Sequence, residues 1–88
     1  MDIVRVSSSS PTAKVAGAIA GIMRETGHVA VQAIGAAAVN QAVKALAVAH
    51  GYLQEDGIEI AIIPEFVDIE IDNQERSVMK FWVERRLA

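Results

Sequence analysis

The sequence predicts a small α/β protein, a two-layer sandwich with both helices on one face of a mixed sheet. Three observations carry this reading. Short β-branched runs alternate with two alanine-rich segments of helical period, the order of consecutive β-α units. After the second helix the pattern is all strand, broken only by a polar turn, so the chain closes in a hairpin or meander. Finally, 88 residues, 52% of them hydrophobic, suit one folded domain over residues 1–88 with a modest core. Only Tyr52, Phe66, Phe81 and Trp82 are aromatic, so that core must be built from Ile, Val, Leu and Ala.

Taken in order, Asp2–Val6 is β-branched and reads as the first strand. Four serines follow, and Ser10-Pro11 is a helix start, with serine as N-cap and proline at the first helical position. That helix runs to about Thr26 and stops at Gly27. Helical spacing puts Val15, Ala16, Ile19, Ile22 and Met23 on its core face. The other face carries Ala13, Gly17, Ala18 and Gly21 beside Lys14 and Arg24. Two interior glycines one turn apart point to close approach by another element, although each costs about 1 kcal/mol of helix stability.

His28–Ile34 alternates as a second strand, and Gly35 breaks it. A second helix spans about Ala36–His50 and ends at Gly51. Val39, Ala42, Val43, Leu46 and His50 form its apolar arc, and Asn40, Gln41 and Lys44 lie on the other. Tyr52–Gly57 is a loop. Ile58–Ile63 is a strand that Pro64 should end, bend or place at a sheet edge. Phe66–Ile71 alternates again, Asp72–Glu75 is a polar turn, and Ser77–Glu84 is the last strand, on which Phe81 and Trp82 face opposite ways. The order is β-α-β-α-β-β, with one strand more if Pro64 divides the third.

Composition narrows function. There is no cysteine, which excludes disulfides, zinc-thiolate sites and cysteine catalysis. Neither a signal peptide nor an apolar run long enough to span a membrane is visible, so the expected location is the cytoplasm. No enzyme is expected: His28 and His50 sit at element boundaries without carboxylates at ligand spacing, and the serines have no base nearby. Asp68, Glu70 and Asp72 read as a solvated strand face, so no metal or other cofactor is expected. Net charge is −3, but residues 1–50 hold four basic and two acidic side chains, against four and nine in residues 51–88. Any footprint for nucleic acid must therefore lie mainly in the first half.

That half offers a coherent set. A strand–glycine–helix junction at Ile34-Gly35-Ala36 leaves free N–H groups at a helix start. If both helix starts lie at one end of the sheet, Ser8 and Ser9 of the serine loop, Lys14, Asn40, Gln41 and Lys44 converge on a surface suited to phosphate. Arg5 and Arg76 are possible additions. Spacing alone favours reading Asn40, Gln41 and Lys44 as the wet face of an amphipathic helix.

The chain resembles the stage V sporulation protein S family. The resemblance rests on Val6-Ser7, Lys14-Val15-Ala16-Gly17-Ala18-Ile19-Ala20-Gly21, Gln32-Ala33-Ile34-Gly35, Ala38 to Ala45, Ile62-Ile63-Pro64, Asp68 to Asp72, and Glu75-Arg76. It covers nearly the whole chain. It implies a cytoplasmic regulator of sporulation or development with an Alba-like fold, a fold associated with homodimers or higher homo-oligomers and with DNA or RNA binding. Alba-type binders are generally more basic around the first loop and the helix-opening glycine, where this chain has serines, Ile34 and Ala36. Nucleic-acid binding is therefore expected to be weak and salt-sensitive. The alternative is a protein–protein interaction module built on the acidic second half, Val48 and the Gly17/Gly21 face.

Overall fold

The computed structural model describes residues 1–86. It contains β1 (Ile3–Val6), α1 (Thr12–Thr26), β2 (His28–Ala33), α2 (Ala36–Gln54), β3 (Ile60–Ile71) and β4 (Gln74–Arg85). The four strands form one mixed sheet in the order β1-β2-β4-β3. β1 and β2 are parallel, and β4 runs antiparallel to both β2 and β3. Both helices pack on one face, giving the two-layer β-α-β-α-β-β sandwich of Alba-like proteins.

The core is aliphatic, as the composition requires. Val15, Ala16, Ile19, Ala20 and Met23 of α1 meet Ala38, Ala42, Ala45, Leu46, Ala49 and Leu53 of α2, above Val29, Val31, Phe81 and Val83 of the sheet. Small alanines on both helices let the two axes lie close above a narrow sheet. Phe81 is in this core. Trp82, one residue on, is half-buried on the opposite, helix-free face, where the Lys80 ammonium lies 5.0 Å from its ring centre.

Several boundaries differ from the sequence reading, each for a physical reason. Pro11 occupies the N-cap position and α1 begins at Thr12. Ser10 instead closes its own loop, accepting the Ser7 N–H at 2.9 Å on its hydroxyl. Helix α2 does not stop at Gly51 but runs on to Gln54, because Leu53 is fully buried and anchors another turn. The stop is Gly57 (φ 71°), where Gly57 N–H donates to Gln54 O and Ile58 N–H to Leu53 O, the paired bonds of a Schellman motif. The glycines on α1 mark no close approach within the chain. Gly17 is exposed, and a Cβ added at Gly17 or Gly21 would meet nothing within 4 Å.

Pro64 neither ends nor divides β3. Arg86 N–H donates to Glu59 O at 2.8 Å, so in the regular β3–β4 register the odd-numbered residues of β3 carry the ladder. The nitrogen of Pro64 therefore faces the open side of an edge strand, where no ladder bond is lost. At the hairpin tip Asp72 and Asn73 both have positive φ, 50° and 62°, a two-residue turn that matches strand twist. The polar turn is thus shorter than expected, and β4 starts at Gln74. Pairing of β2 with β4 ends at Ala33–Met79, so the rest of the hairpin projects beyond the sheet as a two-stranded arm. The molecule is accordingly long, 43 × 24 × 17 Å.

Candidate nucleic-acid interface

β1 and β2 are parallel and end side by side, with Val6 opposite Ala33. β1 leads through the short loop of residues 7–11 into α1 and β2 through Ile34-Gly35 into α2, so the starts of both helices lie at one end of the sheet. This fulfils the geometric condition on which the sequence-derived surface depended. Gly35 makes the second junction with φ 88° and ψ 156°, a conformation open to glycine and strained for any other residue. Neither helix start has a side-chain cap or an acidic residue in its first turn. Their leading N–H groups and the positive ends of their dipoles are open to an anion.

A cavity of about 500 Å³ sits at this end, lined among others by Arg5, Ser7, Ser8, Gln32, Gly35 and Ala36. The serine loop beside it is largely self-satisfied. Ser7 Oγ lies 3.2 Å from Ser9 Oγ and 3.1 Å from Ser10 Oγ, and Ser10 N–H donates to Ser7 O. Ser8 is exposed and contributes to the cavity wall.

The six sequence-derived residues separate into two groups. Ser8, Ser9, Lys14, Asn40 and Lys44 are exposed, and neither lysine is ion-paired among the described residues. Gln41 is half-buried. Its Nε2 donates to Ser10 O at 2.9 Å and lies 3.4 Å from Thr12 Oγ1, tying α2 to the start of α1. It holds the surface together from beneath.

The open face of the sheet adds two residues that the sequence did not mark, Gln32 and Lys80, beside Arg5, which it did. Register places Arg5 beside Gln32 and Gln32 beside Lys80, so the three form a row across β1, β2 and β4. Arg5 and Gln32 also line the cavity, and Trp82 lies on the same face as Lys80. A cation–amide–cation row beside an aromatic ring, continuing through the cavity to the start of α2, can bind phosphate oxygens and stack a base. Only the strand register reveals it, since Gln32 and Lys80 are distant in sequence. Glu65, paired with Lys80 on β3, bounds the row on its far side. The arm projects from this same end of the sheet; register puts its Asp68, Glu70 and Glu75 on the helix-bearing face and Arg76 on the open face that carries the row.

The remaining candidates are accounted for differently. His50 lies one turn before the end of α2 and pairs with Glu59 across the β3 entry, Nε2 to Oε1 at 2.6 Å. His28 is exposed at the start of β2. No group of three or more His, Asp or Glu suited to a metal occurs among the described residues. No helix among them is long and apolar enough to cross a membrane.

The family model for stage V sporulation protein S (SpoVS) matches residues 2–86, almost the whole chain. The chain belongs to this family. As a SpoVS-family member it is a small sporulation-related protein. The matched residues include both helix starts, the Gly35 junction, the open-face row and the arm.

Proposed function

We propose that this SpoVS-family protein is a cytoplasmic, non-enzymatic regulator of sporulation or development that acts by binding nucleic acid as a homodimer. The observation that carries this reading is the joining of the Arg5–Gln32–Lys80 row to the uncapped start of α2, with the uncapped start of α1 at the same end of the sheet. Lys14 and Lys44 add exposed cations on the two helices, Ser8, Ser9 and Asn40 supply neutral hydrogen-bonding groups, and Gln41 ties α2 to the start of α1. Few cations contribute and the arm is acidic, so affinity is low and falls steeply with salt. One stackable ring and a short basic row suit a single strand better than a duplex.

Fluorescence anisotropy with single- and double-stranded DNA and RNA oligonucleotides at low salt tests this. The expected result is measurable binding, tightest for a single strand, weakened by Lys14→Gln. No binding to any of the four by folded protein would reject it. A protein–protein module is favoured instead by the apolar side chains Ile63 and Phe66 exposed on β3. Recovery of one specific protein partner, unaffected by nuclease, together with failed anisotropy, would support that reading.

A further inference from the structure

The sheet face that carries no helix is apolar where a solvated face is ordinarily polar. Register aligns Ile3, Ala30, Trp82 and Ile63 in one row across all four strands. No charged side chain interrupts that row, and its ends lie open, Ile3 at 40% exposure and Ile63 at 54%. A continuous exposed apolar row marks a surface that another molecule covers. The next row along the strands is Arg5, Gln32, Lys80 and Glu65, and the row on the other side holds His28 and Glu84. Arg5 and Glu65 are both exposed, and neither is ion-paired among the described residues. They occupy the two outer strands, about 14 Å apart at ~4.8 Å per strand spacing, too far to pair with each other.

We infer that the open sheet faces of two copies of this chain stack on each other, and that this stacking masks the Arg5–Gln32–Lys80 row. A two-fold axis parallel to the strands, running between β2 and β4, produces the fit. It sets β1 of one copy over β3 of the other and β2 over β4, with each row over its own counterpart. Arg5 then faces Glu65 of the partner subunit, the charge it lacks in its own chain. Ile3 faces Ile63, and the small Ala30 faces the large Trp82, so the two layers interdigitate at the ~10 Å spacing of packed sheets. In the row beyond, His28 faces Glu84. Each contact occurs twice, and this face is used up at two copies. An axis across the strands fits worse. It sets Arg5 on Arg5 if it runs through the charged row, or Trp82 on Trp82 and Ala30 on Ala30 if it runs through the apolar one. Because charge and size are complementary within one face, a second copy suits it better than an unrelated partner. A nucleic-acid strand and a second copy compete for the same row. The masking rests on the nucleic-acid reading above; the stacking stands without it.

Sedimentation velocity of the full chain over a concentration series tests it, with thermal melts to confirm folding. Arg5→Glu and Glu65→Arg should each weaken one association step by at least about 10-fold, since each sets like charges opposite each other twice. Asp68→Arg, the same reversal on the other face of β3, should leave that step unaltered. Mixing Arg5→Glu protein with Glu65→Arg protein should restore it, because every reversed charge then meets its opposite on the other chain. Single-stranded oligonucleotide should dissociate the stacked wild-type copies. A wild-type protein that stays monomeric overturns both the stacking and the homodimer reading. An oligomer indifferent to both reversals, or reversals that mixing does not rescue, overturns the stacking and leaves the homodimer reading intact. Oligonucleotide bound while the copies stay stacked overturns the masking alone. Rescue on mixing with no oligonucleotide bound upholds the stacking and overturns the nucleic-acid reading, and the masking with it.

Discussion

At the residue scale, the same amino acid does opposite things along this chain. Gly17 lies in the middle of α1 with open space where a Cβ would be, so it contributes only its backbone freedom in the unfolded state. Gly57 holds a positive φ and terminates α2. Gly17→Ala should therefore stabilise the protein by about 0.5–1 kcal/mol, and Gly57→Ala should destabilise it by about 1 kcal/mol or more. Thermal melts would show the two midpoints moving in opposite directions, by about 4–8 °C per kcal/mol for a domain of this size. Gln41 makes a similar point for polar groups. On the helix wheel it belongs with Asn40 and Lys44, yet its amide is committed to Ser10 and Thr12. Gln41→Ala should cost about 1 kcal/mol of stability, while Asn40→Ala, exposed one residue away, should shift the melt within about 0.5 kcal/mol of zero.

At the element scale, α2 and β3 decide how the molecule differs from a minimal sandwich. The last turn of α2 exists because Leu53 is fully buried beneath it, together with Ile58 just past the helix end. Leu53→Ala should cost about 2–5 kcal/mol, a large share of the stability of an 88-residue domain, and should lower the urea midpoint accordingly. The sequence carried most of this architecture. The apolar periodicity of α1, the strand–Gly35–helix junction and the closing hairpin were all legible, since each is a local pattern set by burial on one face. What was not legible depended on tertiary context. Gly51 looked like a helix stop because burial of Leu53 cannot be seen locally. Pro64 looked like a strand end because the side of the ladder its nitrogen faces depends on the β4 register. The candidate site divided in the same way. Ser8, Ser9, Lys14, Asn40 and Lys44 could be marked from residue type and position. Gln32 and Lys80 join Arg5 only through strand pairing.

At the scale of the whole molecule, charge and shape are arranged along one long axis. Both helix starts, the serine loop and the Arg5–Gln32–Lys80 row gather at one end of the sheet, and the acidic arm projects beyond that end. The far end, where the helices finish, holds Glu25, Glu55, Asp56 and Glu59, with Arg24 Nε paired to Asp56 at 2.7 Å. Net charge alone, at −3, would argue against a nucleic-acid partner. Its distribution gathers Arg5 and Lys80 near the helix starts, while Arg24, Arg85 and Arg86 stand among the carboxylates of the far end, which favours few and weak phosphate contacts. The most direct measurement is the salt dependence of single-strand binding for the wild type and for Arg5→Gln/Lys14→Gln. Each phosphate contact on a single strand contributes about 0.7 to the slope of log K against log salt. The double variant should keep the wild-type melt and bind more weakly, with a slope shallower by about 1–2. An unchanged slope in the folded double variant, or no wild-type binding at low salt, would contradict a nucleic-acid interface at this end of the sheet.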